Sequence, residues 1–145
     1  MRHRLSRAVP RLAAPLATLA GAGAAFVYVA AVDPGEPGRY PACPVWTFLG
    51  VYCPACGGLR SAHALAHGDL GPALGANAAA VLFFLAFAGF WLHWVVLTAR
   101  GRPYAPPMRL LARPGPRTAV LWAAAAALAA FTLLRNTPFG SALAP

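Results

Sequence analysis

The residues of this chain with the most reactive side chains are gathered in one short stretch. Two of the three cysteines, Cys53 and Cys56, form a Cys-Pro-Ala-Cys motif, and two of the four histidines follow shortly after it. If a helix begins at Cys56, the residues at i+4, i+7 and i+11 share one stripe with it, because positions three and four apart lie on the same helical face. Those residues are Arg60, His63 and His67.

Redox chemistry is one interpretation of the stretch, since the thiolate is the reactive form of cysteine. Cys53 and Cys56 stand at a predicted helix start, where the positive end of the helix and Arg60 would both favour a thiolate. Cys43 would then act as the resolving partner of this pair or as an exchange site. No βαβ pattern of the thioredoxin type surrounds the motif. The chain has only three acidic residues, too few to make catalysis by carboxylates a strong candidate. We therefore favour a role other than catalysis and assign no catalytic residue.

A metal ion is the second interpretation of the same stretch. Two thiolates and two imidazoles make a tetrahedral Cys₂His₂ set of the kind that holds zinc. The candidate ligands are Cys53, Cys56, His63 and His67. Cys43 would provide the alternative Cys₃His set. Because Arg60 on the same stripe would repel a cation, zinc is a candidate only, and we expect no other cofactor.

The composition places these residues in a membrane protein. Of 145 residues, 59% are hydrophobic and 10% are charged, whereas about a quarter of the residues of a soluble protein are charged. Three apolar runs are suited to crossing a hydrocarbon layer of about 30 Å, although the first could instead be a secretory signal. We predict an all-α membrane protein with three transmembrane helices and a short interfacial or re-entrant helix. The predicted spans are residues 12–32, 78–99 and 118–134, and the short helix is residues 57–67.

The arginines predict the orientation of these spans. Most of the basic residues collect in two segments, the amino-terminal residues 1–11 and the proline-rich loop 100–117. Positive residues stay on the cytoplasmic side, so both segments are predicted to be cytoplasmic. The Cys-rich segment, residues 33–76, is then extracytoplasmic, and a tail covers residues 135–145. Because the charges flank apolar runs, the net charge of +9 favours the lipid bilayer as partner and not nucleic acid.

A structural role is the third interpretation and the one that we favour. An extracytoplasmic compartment is oxidising, so a disulfide among the cysteines is the first expectation. Such a staple, together with an arginine bound to an aspartate or to a carbonyl, would hold a re-entrant turn against the spans or dock another membrane protein. The residues assigned to this motif besides the cysteines are Gly57, Arg60, Asp69 and Asn77, with Asn77 as the predicted cap of the second span.

The same stretch also carries a family resemblance. The run from Cys53 to Arg60, Cys-Pro-Ala-Cys-Gly-Gly-Leu-Arg, resembles the Cys-Pro-x-Cys-Gly-x-x-Arg signature of the bacterial domain-of-unknown-function 2752 family. Residues 67–69 and Asn77 extend the likeness, which covers about residues 40–95. Leu59 departs from the family pattern, in which threonine often precedes the arginine. The resemblance implies a small multi-pass protein of the bacterial cell membrane with no established activity.

Overall fold

Every regular element in the part of the chain that the computed structural model describes, residues 2–102 and 114–143, is helical. The helices are α1 (Arg2–Ala31), α2 (Pro44–Leu49), α3 (Gly58–Ala66), α4 (Leu70–Ala99) and α5 (Pro114–Arg135), followed by a 3₁₀ helix (Pro138–Leu143). The segments long and apolar enough to cross a membrane are Leu12–Ala31, Leu70–Ala99 and Thr118–Arg135. The predicted all-α fold with three such helices and additional shorter ones is confirmed. Arg109 and Arg113, from the predicted basic loop, lie outside the described residues.

The long helices carry their large apolar side chains on the outside. Phe83, Leu85 and Trp122 have 64%, 63% and 71% of their surface exposed, whereas the polar residues Ser61 and Asn77 are fully buried. A soluble protein has the opposite arrangement, because each Å² of apolar surface left in water costs about 25 cal/mol. Lipid tails would cover the exposed apolar side chains but cannot pair with polar groups, which therefore face inward. This distribution fits a multi-pass membrane protein.

The short helix α3 connects the first two long helices. It packs mainly against α4 and also against α1, and α1 in turn contacts α4. Ser61 and Ala62 form its buried face, and His63 Nδ1 lies 2.8 Å from the carbonyl oxygen of Val29 in α1. The 3₁₀ helix after α5 also contacts α4. The segment that carries the cysteines, His63 and His67 is therefore held at one end of the long helices.

Two short elements differ from the sequence prediction. The helix α3 begins at Gly58, after a turn in which Gly57 has a φ of 80°, so Cys56 precedes the helix and does not share its stripe. Pro44–Leu49 forms α2, which the sequence analysis did not predict. Its proline in the first turn and the left-handed Gly50 at its end, with a φ of 64°, are ordinary start and stop signals.

The second and third long helices both begin earlier than predicted. The helix α4 starts at Leu70 and has a kink at Asn77, whose φ of −165° and ψ of 95° are not helical. The predicted start at residue 78 therefore coincides with the kink and not with the beginning of the helix. The helix α5 starts at Pro114, within the predicted loop, because proline is tolerated in the first turn of a helix.

Candidate functional site

Three sulfur atoms meet just before α3. Cys53 Sγ lies 3.0 Å from Cys56 Sγ and 3.6 Å from Cys43 Sγ, and the sulfurs of Cys56 and Cys43 are 3.3 Å apart. A disulfide bond joins sulfurs at about 2.05 Å, so the three cysteines are free thiols in this structure and the expected disulfide is not confirmed. Their sulfurs lie within 4.8 Å of one another, a group that could hold a metal ion. We call Cys43, Cys53 and Cys56 the thiol cluster.

The thiol cluster forms because α2 folds the chain back between Cys43 and Cys53. Cys43 immediately precedes α2, and a left-handed glycine ends that helix. The rings of Trp46 and Tyr52 stack at a centroid distance of 4.3 Å and hold the two arms of this loop together. The second arm continues as a tight turn, in which Cys56 N donates to the Cys53 carbonyl at 3.1 Å and Cys53 N donates to Cys56 Sγ at 3.2 Å.

Two buried side chains from the long helices bind the carbonyl groups of this turn. Asn77 Nδ2 donates to the carbonyl oxygens of Pro54, at 2.8 Å, and Cys56, at 2.9 Å. Arg135 Nη1 donates to the carbonyl oxygens of Cys53 and Cys56, each at 3.1 Å. The helices α4 and α5 therefore fix the backbone from which two of the three sulfurs project.

The kink in α4 makes Asn77 available for this contact. A backbone N–H one turn later donates to Asn77 Oδ1 at 2.9 Å, which caps the rest of the helix as the sequence predicts. Side chains donate hydrogen bonds to backbone carbonyl groups beside the kink. Ser61 Oγ donates to the carbonyl oxygen of Ala73 at 2.7 Å, and Arg135 Nη2 donates to that of Ala76 at 3.4 Å. Because a buried, unpaired carbonyl group in a membrane costs several kcal/mol, these donors stabilise the kink.

Arg135 places a positive charge beside the thiol cluster, and it has no carboxylate partner among the residues that the structure describes. Its side chain is 2% exposed, and its Nε has no hydrogen-bond partner. The guanidinium lies over the rings of Phe131 and Tyr52, at centroid distances of 5.0 and 5.7 Å. Among the described residues the one ion pair joins Arg39 to Glu36. A thiolate in the cluster would therefore supply the balancing negative charge.

Two thiols of the cluster differ in acidity. The backbone N–H of Trp46, and next the Cys56 thiol, donate hydrogen bonds to Cys43 and lower the pKa of its thiol to about 7. Burial raises the pKa of the Cys56 thiol to about 12. Cys43 is half-buried and Cys56 is buried. Cys43 is therefore the one of these two thiols that ionises near neutral pH.

This difference predicts selective alkylation. In reduced, metal-free protein, the rate at which iodoacetamide modifies Cys43 should reach half its maximum near pH 7, because only the thiolate reacts. An ordinary cysteine would reach that point near its usual pKa of about 8.5. Cys56 should stay unmodified over the same range. Peptide mass spectrometry after timed alkylation measures both rates, and equal rates at Cys43 and Cys56 would contradict the assigned order of acidity.

The segment that contains the thiol cluster matches the model of a known protein family. Residues 43–91 match DUF2752, a protein of unknown function. The resemblance predicted from the sequence is confirmed over these residues. The DUF2752 segment includes the thiol cluster, α3 and Asn77, whereas Arg135 lies outside it. No curated protein and no solved structure matches the chain.

Within the DUF2752 segment, the predicted histidine ligands are separate from the sulfurs. His63 Nδ1 lies against the carbonyl oxygen of Val29, and His67 Nδ1 lies 2.9 Å from the carbonyl oxygen of His63. Both rings line a cavity that contains no cysteine. The predicted Cys₂His₂ set is therefore not assembled, and the third cysteine, Cys43, joins the other two instead. The physical reason is that α3 begins only after Cys56, so the motif and the histidines do not share a helical face.

The four residues assigned to the structural motif have different roles. Gly57 supplies the left-handed turn before α3, and Asn77 binds the cysteine turn. Arg60 is exposed beside the cavity that the thiol cluster lines, and Asp69 is exposed just before α4. The expected tie between an arginine and a carbonyl group is present, but Arg135 makes it and not Arg60.

Arg135 and Asn136 are site residues that the sequence analysis missed. Asn136 exchanges two hydrogen bonds with Tyr52, accepting from its backbone N–H at 2.8 Å and donating to its carbonyl oxygen at 2.9 Å. From the sequence, both residues only mark the end of the third span. The available signal was that an ionisable residue in an apolar helix is usually paired and functional.

Proposed function

We propose that this chain is a multi-pass membrane protein that binds a zinc ion, or another thiophilic divalent ion, through Cys43, Cys53 and Cys56. The observation that carries the proposal is the mutual contact of three sulfurs, 3.0 to 3.6 Å apart, from two arms of one loop. Zinc–sulfur bonds of about 2.3 Å in a tetrahedral site require sulfur–sulfur distances only slightly longer than those observed. Three protein ligands would leave the fourth position of a tetrahedral ion for water or an incoming ligand.

The charge of such a site is complementary to its surroundings. Three thiolates and one divalent cation carry a net charge of −1, which the guanidinium of Arg135 would balance. A disulfide carries no charge and would leave Arg135 buried without a counter-ion, an arrangement that costs several kcal/mol. The position of Arg135 therefore supports a metal–thiolate centre over the disulfide staple that the sequence suggests.

A bound ion would also serve the structural and docking roles that the sequence favours. It would link the arm that carries Cys43 to the turn that Asn77 and Arg135 hold against the long helices. The thiol cluster lines a cavity of about 580 Å³ together with Trp46 and Arg60. A small molecule, or a side chain of a partner membrane protein, would reach the open coordination position through this cavity.

Removing any one thiol should abolish tight zinc binding. Reduced wild-type protein in detergent should hold one zinc ion per chain, and Cys43→Ser, Cys53→Ser and Cys56→Ser should each weaken binding by at least about 100-fold, because each loses a direct ligand. Elemental analysis and competition with a chromogenic chelator measure content and affinity. Arg60→Gln, a change in the same cavity without loss of a thiol, should bind zinc as wild type does. Serine variants that retain full affinity would contradict the proposal.

Thiol–disulfide exchange is a second candidate, favoured by the contact between half-buried Cys43 and two further thiols. The Cys43 thiolate would attack a disulfide of a partner protein, forming a mixed disulfide and releasing the partner's other sulfur as a thiolate. Cys53 or Cys56 would then displace the partner, leaving a disulfide in the cluster and a reduced dithiol on the partner. If no mixed disulfide on Cys43 can be trapped from zinc-free protein and a peptide disulfide, this candidate fails while the metal proposal stands.

We also propose that the thiol cluster is extracytoplasmic and the amino terminus cytoplasmic, in a bacterial cell membrane. Four arginines precede the first span, whereas the segment before the kink in α4 holds all three acidic residues, which supports this orientation. The family resemblance supports the bacterial source. In a Cys53→Ser, Cys56→Ser variant, a membrane-impermeant maleimide added to intact cells should label Cys43. Labelling only after permeabilisation would reverse the orientation.

A further inference from the structure

A second cavity lies on the side of α3 that carries the two histidines. It has a volume of about 470 Å³, and among the described residues its ionisable lining consists of His63, His67, Asp33, Asp69 and Arg60. None of the three cysteines lines it. The two carboxylates and the single guanidinium give this lining a net charge of −1 when both histidines are neutral. The cavity therefore favours a cation over an anion.

The hydrogen bonds of the two histidines fix their tautomers. His63 Nδ1 lies 2.8 Å from the carbonyl oxygen of Val29, and His67 Nδ1 lies 2.9 Å from that of His63. A carbonyl oxygen can only accept, so each Nδ1 must carry the proton that it donates. In the neutral rings, both Nε2 atoms then hold an unshared electron pair. A backbone carbonyl on one ring nitrogen is the usual outer partner of a histidine whose other nitrogen binds a metal.

The two rings are also close enough to act on one ion. They are four residues apart on α3, and their centroids are 4.4 Å apart with an angle of 41° between the rings. Residues at i and i+4 lie on the same helical face, so both imidazoles stand on one side of α3. His63 is further held by its bond to α1, whereas His67 is exposed. Water would fill the remaining coordination positions.

We infer that His63 and His67 form a second metal site, separate from the thiol cluster, for a borderline divalent ion of the copper, nickel or zinc class. Imidazole nitrogen suits these ions, and copper(II) binds such ligands most tightly among them. The carboxylates of Asp33 and Asp69 contribute negative charge to the cavity. The site shares no ligand with the thiol cluster, so its existence does not depend on the zinc proposal.

Copper(II) binding to full-length protein without cysteines tests this site. In a Cys43→Ser, Cys53→Ser, Cys56→Ser variant in detergent, copper(II) should bind with nitrogen hyperfine coupling in its electron paramagnetic resonance spectrum. Adding His67→Gln, a change at an exposed side chain, should weaken binding by at least about tenfold and remove one nitrogen from the spectrum. All of these proteins carry His3→Gln, because a free amino terminus with a histidine at position 3 binds copper(II) by itself. Adding His93→Gln, the matched control, should change neither.

Nickel(II) titration by calorimetry repeats the comparison in case the cysteine-free variant does not fold, using His3→Gln protein whose thiol cluster has first been filled with one zinc ion per chain. The His67→Gln loss should appear there as well, with the cysteines intact. Unchanged affinity in the His67→Gln variant, or an unchanged nitrogen spectrum, would overturn the inference. Loss of zinc from the cysteine variants with intact copper binding would separate this site from the thiol cluster.

Discussion

In the zinc-loaded protein, replacement of Arg135 by methionine should lower the free energy of unfolding by about 2–4 kcal/mol. The side chain is 2% exposed and donates three hydrogen bonds to carbonyl oxygens, two of them in the cysteine turn and one beside the kink of α4. Methionine has similar length but no donor, so these buried carbonyls lose a partner. Zinc affinity should fall with stability, because the metal–thiolate centre loses its counter-charge. Denaturant titration in detergent and zinc competition measure the two effects.

Two further arginine variants separate the causes. Arg60→Met is the matched control, since it removes the same side chain from an exposed position and should change stability by no more than about 0.5 kcal/mol. Arg135→Lys keeps the charge but loses the planar fork of donors, so zinc affinity should recover more than stability does. If Arg135→Met unfolds at the wild-type denaturant concentration, the proposed tie between α5 and the cysteine turn is wrong.

Replacement of Asn77 by alanine should destabilise the protein by about 2–3 kcal/mol. Asn77 is fully buried and makes three hydrogen bonds, two to the carbonyl oxygens of Pro54 and Cys56 and one that caps the rest of α4. Alanine removes the cap and both donors at once. The cysteine turn should become mobile as a result, and Cys56, now protected by burial, should react with iodoacetamide.

Replacement of Asn77 by serine separates the loss of the helix cap from the loss of the hydrogen bonds to the cysteine turn. Serine is as good a cap as asparagine but is too short to donate to both carbonyls, so about 1 kcal/mol of the loss should be recovered. The exposure of Cys56 should not be recovered, because the turn still lacks its donors. Equal stability of the alanine and wild-type proteins would show that the kink in α4 does not depend on Asn77.

The architecture was predictable because hydropathy and charge decide it. The three apolar runs and the short helix near residues 57–67 follow from composition and spacing, which local sequence contains. The start and stop signals of α2, Pro44 and Gly50, are visible in the sequence. The contact that α2 creates between distant residues is not. This helix folds Cys43 back onto Cys53, a contact that depends on how the nine intervening residues fold and on the stacking of Trp46 against Tyr52.

The composition of the site was less predictable, because long-range contacts decide it. Arg60 and Arg135 are equivalent in chemistry, and sequence distance favoured Arg60, which stands four positions from Cys56. The structure places Arg135 against the turn because the end of α5 meets the kink of α4, where Ala76 needs a donor. The histidines stood at the right helical spacing for a metal, but a helix that begins at Gly58 carries them away from the sulfurs.

The coordination of zinc in the reduced wild-type protein is the most direct test of the metal–thiolate centre. In protein loaded with one zinc ion per chain, X-ray absorption at the zinc edge should show three sulfur atoms at about 2.3 Å and one lighter atom, with no imidazole scattering at longer distance. Cys43→Ser protein should lose this signal. A first shell of two sulfurs and two imidazole nitrogens would contradict the account, since it would require His63 and His67 to reach the cysteine turn. A zinc-free wild-type protein in the presence of excess zinc would contradict it as well.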